Sequence, residues 1–263
     1  MSESKVYNSN TACCSIPTIT PKEKYNHKAL LGEYKPYGPF KKAYVVGKEG
    51  SGSTETAIIG VYDIFGYFPQ TIQGADILAE TLDAFVVYPD FFEGKPWPNE
   101  AFPPRDDDEG KKLQDFFGTT ADLGANLEGL EGTADQMRKD GAKHVGTIGF
   151  CWGGKLSTVG ATTGKTDAAV AIHPAMLDVK DAENLKAPLA IFPSKDEPLD
   201  VYEKIVDTIS KKPFASKNAY KVYDDMYHGW AAARADFDKP ETKKAYEDVY
   251  GTSVTFFKNA FSS

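Results

Sequence analysis

The chain predicts an α/β fold, with a mostly parallel central sheet and helices on both faces. Short β-rich runs alternate with helical patterns from about residue 43 to 259, the signature of βα units. The apolar run 144–149 leads straight into Gly149-Phe150-Cys151-Trp152-Gly153-Gly154, a glycine-flanked sharp turn that opens a helix. A chain of 263 residues with 41% hydrophobic content is enough for one sizeable core. No Gly/Ser/Pro linker and no internal repeat divides residues 40–260, so the expected organisation is an N-terminal arm over residues 1–40 and a single domain over 41–263.

Along the chain, strands are expected at 43–46, 57–62 and 84–88, where aromatic and β-branched residues cluster between turn residues. A helix is expected over 74–81. Residues 91–108 are rich in Pro, aromatic and acidic residues, including Pro96-Trp97-Pro98 and Pro103-Pro104, and lack periodicity; they read as a wall or cap. The run Asp106-Asp107-Asp108-Glu109 reads as an acidic helix N-terminus, favourable to the helix dipole, and not as a metal site. Helix 123–139, strand 145–149, helix 154–162, and strands 168–172 and 189–192 follow. Helix 201–211, strand 220–223 and helix 242–259 complete the pattern.

The chemistry is carried by Cys151. A residue at the centre of such a turn stands clear of its neighbours only if its flanks are small. The following helix N-terminus favours a thiolate and an oxyanion. An elbow nucleophile needs an acid and then a histidine downstream, and both are present in that order. Asp196 follows the run 189–192, at the carboxyl end of a strand. His228 follows the strand-like 220–223. Of the other histidines, His27 is in the polar N-terminal region and His144 begins the strand before the elbow. His173 precedes Pro174 at a strand end, where packing or a supporting hydrogen bond is expected of it. Glu197 and Asp200 are rival carboxylates, with Asp200 expected to cap the helix that begins at Val201.

Together with Gly-Phe-Cys-Trp-Gly-Gly, the segments Asp63-Ile64-Phe65-Gly66, Tyr88-Pro89-Asp90-Phe91-Phe92-Glu93-Gly94, Ser194-Lys195-Asp196 and His228-Gly229-Trp230 resemble the dienelactone hydrolase family over roughly residues 40–260, in its eukaryotic carboxymethylenebutenolidase-like branch. The resemblance implies an α/β-hydrolase fold, a triad of Cys151, Asp196 and His228, and an oxyanion hole made by the backbone N–H groups of Ile64 and Trp152. It implies a carboxylic ester or lactone hydrolase working through an acyl-thioester, with no metal or organic cofactor. The chain departs from the bacterial enzymes at two places. Asp63 stands where they have a glutamate against the thiol, and Ala232 stands where they have an arginine four residues after the histidine. Arginine is scarce, at three against twenty-seven lysines. Arg234 either lines the site or is a solvated loop charge near Asp236 and Asp238.

Phe65, Trp97, Trp152 and Trp230 are candidate walls of an apolar pocket, with core packing the competing expectation for each. The expected partner is a small-molecule ester or lactone, bound by a monomer or homodimer. Net charge of −8 without a basic stripe argues against nucleic acid. No segment is long and apolar enough to cross a membrane, and the start lacks a signal-peptide core, so the cytosol is expected. Three cysteines make no disulfide framework, and Cys13-Cys14 reads as an incidental pair on the arm. The competing functions are a non-catalytic binding protein on this fold and a thiol redox protein, the latter without a Cys-x-x-Cys to support it.

Overall fold

A computed structural model describes residues 30–48 and 55–262; Cys13, Cys14 and His27 lie outside them. The described chain runs β1 (Glu33–Tyr37), β2 (Phe40–Val46), β3 (Thr56–Val61), α1 (Pro69–Leu82), β4 (Phe85–Pro89), α2 (Asp107–Phe117), α3 (Leu123–Lys139) and β5 (His144–Phe150). It continues through α4 (Trp152–Thr163), β6 (Ala168–Ile172), α5 (Val179–Glu183), β7 (Leu189–Phe192), α6 (Leu199–Ile209), β8 (Ala219–Tyr220) and α7 (Pro240–Phe261).

The eight strands form one sheet in the order β1-β2-β4-β3-β5-β6-β7-β8. From β4 to β8 every pairing is parallel, while β1–β2 and β2–β4 are antiparallel. The parallel strands are buried on both faces, which is why they read as nearly unbroken apolar runs. Alternate residues go to opposite cores. Ile58, Val86, Ile148 and Val170 face α1 and α7, whereas Ile59, Val87, Val145 and Ala169 face the layer that contains α2 to α6.

Strands 168–172 and 189–192 and helix 123–139 fall where periodicity puts them; other boundaries move by a few residues. α1 begins five residues before its expected start, because Pro69 occupies its first turn, where a missing N–H is harmless. α6 begins at Leu199, so Asp200 lies inside its first turn and does not cap it. The expected arm gains a strand: Glu33–Tyr37 pairs with β2 at the sheet edge, and its register shifts between Lys35 and Tyr37, around Pro36. A proline is tolerated on an edge strand because no ladder bond is lost to a neighbour there. The last expected strand shortens to Ala219–Tyr220, leaving only an isolated bridge between Ser194 and Tyr223. That bridge matters to the site. Asp106 is the N-cap of α2, accepting from the Glu109 N–H at 2.9 Å, as the acidic run suggested. Among the described residues no helix is long and apolar enough to cross a membrane.

Two glycine substitutions test this packing in opposite directions. A Cβ on Gly153 would press into the Val61 and Tyr62 carbonyl oxygens, both rigid backbone. Gly153→Ala should therefore cost about 3 kcal/mol or more, or prevent folding, by thermal or urea denaturation. Gly110 within α2 has open space around it, and Gly110→Ala should stabilise by about 0.5–1 kcal/mol.

Candidate active site

Cys151 lies between the end of β5 and the start of α4 with φ 54° and ψ −115°, a backbone conformation that a non-glycine residue holds only under constraint. The surroundings supply that constraint. A Cβ on Gly149 would collide with the Gly153 carbonyl, and one on Gly154 would lie 2.8 Å from the Pro174 side chain. The Cys151 N–H donates to Ile172 O at 3.2 Å, and its carbonyl accepts from Ala175 N–H at 3.0 Å and Gly154 N–H at 3.0 Å. Trp152 packs its ring 4.8 Å from Phe92 and donates its indole N–H to Ala121 O at 2.9 Å. The ring is therefore core, and the Trp152 backbone N–H lies in the first turn of α4, where such groups lack intrahelical acceptors.

His228 reaches the site because the chain after β7 is tied to the chain after β8. Tyr223 N–H donates to Pro193 O at 2.8 Å and Lys195 N–H to Met226 O at 3.4 Å. This pairing brings residues 196–197 against 228. The ring contact, however, is made by Glu197: its Oε1 lies 2.6 Å from His228 Nδ1, with both side chains fully buried. The other Glu197 oxygen accepts from the Ser194 N–H. Asp196 instead accepts from the backbone N–H of His228 at 2.9 Å. The expectation that Asp196 orients the imidazole is thus corrected in this structure: Asp196 holds the main chain of the histidine and Glu197 holds its ring.

The loop after β3 joins from the other side. Asp63 accepts from Phe65 N–H at 2.9 Å and from Ala233 N–H at 3.3 Å, so one carboxylate ties the Ile64 loop to the His228 loop. Trp97 N–H donates to Ile64 O at 2.8 Å, laying the 91–106 segment against the same loop. Trp97 itself packs on Phe116, 5.6 Å between ring centres. Arg234 is 2% exposed, which rules out the solvated reading. Its guanidinium lies over the Phe65 and Phe102 rings at 5.5 and 5.0 Å and donates to His228 O at 3.2 Å. Trp230 is core, its ring 4.7 Å from Tyr223 and 6.4 Å from His173. Cys151 is 3% exposed and His228 0%, so both are shielded from bulk solvent, and charges there act through a low dielectric.

The chain matches the dienelactone hydrolase family over residues 42–261. The chain belongs to that family. Relatives include an AIM2 family protein of Schizosaccharomyces pombe, 36% identical over 219 residues, covering 82% of this chain and 86% of the relative. A carboxymethylenebutenolidase homolog of Xenopus tropicalis is 31% identical, covering 79% and 82%. Among solved structures, a dienelactone hydrolase from Anabaena variabilis superposes with a TM-score of 0.61 at 16% identity, covering 86% of this chain and 95% of that one, which shows the shared fold. The dienelactone hydrolase scaffold accounts for the α/β-hydrolase sheet and its helices on both faces.

Sequence reasoning missed two participants of the site, Phe102 and Ala233, and favoured Asp196 over its rival Glu197, which follows the same strand end. Phe102, under the Arg234 guanidinium, sits in an aperiodic segment and carries no local signal. Ala233 contributes only an N–H. Among the described residues no group of three or more His, Cys, Asp or Glu is placed to hold a metal.

Burial pushes the Asp63 carboxyl up from 3.8 to about 6, against the opposing pull of the Phe65 N–H, Arg234, the Ala233 N–H and His228. The folded chain therefore holds this proton more tightly than the unfolded chain. Stability contributed through Asp63 is full below about pH 4, falls as pH rises to about 6, and is flat above. Asp63→Asn should remove that slope, so that the difference in stability between variant and wild type moves in favour of Asn by roughly 3 kcal/mol between pH 4 and pH 7, measured by urea unfolding.

Proposed function

We propose that the protein hydrolyses carboxylic esters or lactones by acyl transfer through Cys151. The observation that carries this reading is the strained elbow at Cys151, bonded to the 172–175 turn whose His173 ring packs 5.2 Å from a fully buried His228, with Nδ1 of His228 held by Glu197 at 2.6 Å. Glu197 on Nδ1 leaves Nε2 as the basic nitrogen, which takes the thiol proton as sulfur attacks the carbonyl carbon. The carbonyl π pair moves to oxygen, and the resulting oxyanion is met by the Trp152 N–H and the Ile64 N–H. Collapse of the tetrahedral intermediate breaks the carbon–oxygen ester bond. The alkoxide takes the proton from His228, leaving an acyl-thioester. His228 then removes a proton from water, hydroxide attacks the thioester, and the thiolate leaves and is reprotonated. The products are a carboxylic acid and an alcohol, or one hydroxy acid from a lactone. Every proton and electron pair is accounted for by these groups, so the route uses no metal or organic cofactor.

The likeness to a carboxymethylenebutenolidase homolog supports the lactone side of this reading. Arg234, buried among Phe65 and Phe102 beside Asp63, supports a planar polar substrate held next to the Ile64 loop.

Short-chain p-nitrophenyl esters and simple lactones test the chemistry. Wild type should turn over at least one and show an acyl adduct by intact mass, and Cys151→Ala should lose both; turnover retained in that variant would refute the reading. The carboxylates separate cleanly. Glu197→Gln should lower kcat by about 10³–10⁴-fold, because the amide favours the wrong tautomer. Asp196→Asn, which touches only the histidine backbone, should lower it by about 10-fold or less.

A further inference from the structure

We propose that His173 is a positioning residue for His228, and that the turn 172–175 sets the spacing between thiol and imidazole; this rests on the acyl-transfer reading above. The turn is bonded to the nucleophile on both sides. Ile172 O accepts from the Cys151 N–H at 3.2 Å, and Ala175 N–H donates to Cys151 O at 3.0 Å, with His173 between them. The His173 ring lies against the base: its centre is 5.2 Å from that of His228, with the planes crossing at 66°. One short turn therefore touches both reacting groups.

The turn is itself held rigid. His173 N–H donates to Phe192 O at 2.9 Å, at the end of the strand that leads to Asp196 and Glu197. Tyr202 Oη donates to Pro174 O at 2.6 Å. The fully buried His173 ring is backed by Phe150 at 5.9 Å and Trp230 at 6.4 Å. His173 also holds φ at 35°, a positive value that His, Asn and Asp tolerate better than most residues.

The covalent anchor at Cγ and the Glu197 hydrogen bond at Nδ1 set the mean plane of the His228 imidazole, and the His173 ring packed against it limits how far that plane swings and so how closely Nε2 is aimed. The charged and titratable groups facing His228 are Glu197 on Nδ1, Asp196 on its backbone N–H, Arg234 on its carbonyl and Asp63 from the loop after β3, while Cys151 is joined to it through the 172–175 turn. Two imidazolium rings this close in a buried site would repel, so the role assigned to His173 is that of a ring wall and not of a second proton carrier.

The test compares His173→Asn, which deletes the ring but suits the positive φ, with His173→Phe, which keeps a ring without nitrogens. Proton NMR of the full chain reads the His228 Nδ1–H held by Glu197 as a far-downfield, slowly exchanging resonance. Wild type and His173→Phe should show it, and His173→Asn should lose it. On an ester that wild type hydrolyses, His173→Asn should lower kcat by about 10–100-fold with KM within about threefold, and His173→Phe should restore kcat to within about threefold. His173→Gly serves the same purpose if the Asn chain does not fold. An unchanged resonance in the ring-deleted chain, its absence from wild type, or equal loss of kcat in Asn and Phe would overturn the proposal. The resonance does not depend on turnover, so failure of the acyl-transfer reading would show separately, as an inert wild type.

Discussion

The conformation of Cys151 is the constraint on which the rest of the site depends. A φ of 54° on a residue with a side chain persists only when its neighbours leave no alternative. Here Gly149 and Gly153 bring β5, β3 and α4 so close that added methyl groups would meet backbone, while the turn after β6 bonds both the N–H and the carbonyl of Cys151. The strain is stored by a parallel sheet buried on both faces, whose strands β3, β5 and β6 lie side by side. α4 is fixed further by an ion pair between Lys155 and Asp181 at 2.6 Å, both nearly buried, with Asp181 also closing the capping box of α5. Such a pair is costly to desolvate and contributes mainly by fixing geometry, since removal of either partner would strand a charge.

Around this elbow the loops at the carboxyl ends of the strands are joined through buried polar groups more than through apolar contact. Asp63 links the β3 loop to Ala233, Arg234 bonds the His228 carbonyl, Asp196 bonds the His228 N–H, and Glu197 bonds both the imidazole and Ser194. Each of these groups would be expensive to bury alone, and each is matched by a partner of complementary character. The consequence is preorganisation: these dipoles and charges already hold fixed positions in the folded chain. The consequence for stability is a site that opposes part of its own burial, visible in the raised Asp63 carboxyl.

The aromatic residues divide between two tasks. Phe92 and Trp97 of the 91–106 segment pack edge-on or tilted with Phe116 and Trp152, with contacting ring centres 4.8 to 5.6 Å apart, and so set the position of the elbow helix from outside. Trp230 and Tyr223 instead pack behind the histidines, in the core shared with α7. Phe65 and Phe102 lie nearer the chemistry, flanking the Arg234 guanidinium. Aromatic type alone does not separate these roles, because burial of a large ring is favourable in any of them.

The amino-acid sequence by itself determined the elements whose signal is local. The apolar runs of β5, β6 and β7, the 3.6-residue pattern of α3 and the glycines around Cys151 are all written in neighbouring residues. Glycine spacing is legible because the steric demand acts within four residues. The strand Glu33–Tyr37 was not legible, since a mostly exposed edge strand with Pro36 has little propensity of its own and exists because β2 offers a partner. Only the tertiary structure decided which of two adjacent carboxylates meets the imidazole. Asp196 and Glu197 share one turn, and their side chains diverge; the choice between them is made by the pairing of residues 193–195 with 223–226, thirty positions away in the chain. The same holds for His173 and Arg234: a strand-end histidine and a loop arginine become parts of a buried centre because segments distant in sequence close over them, and no local pattern encodes that closure.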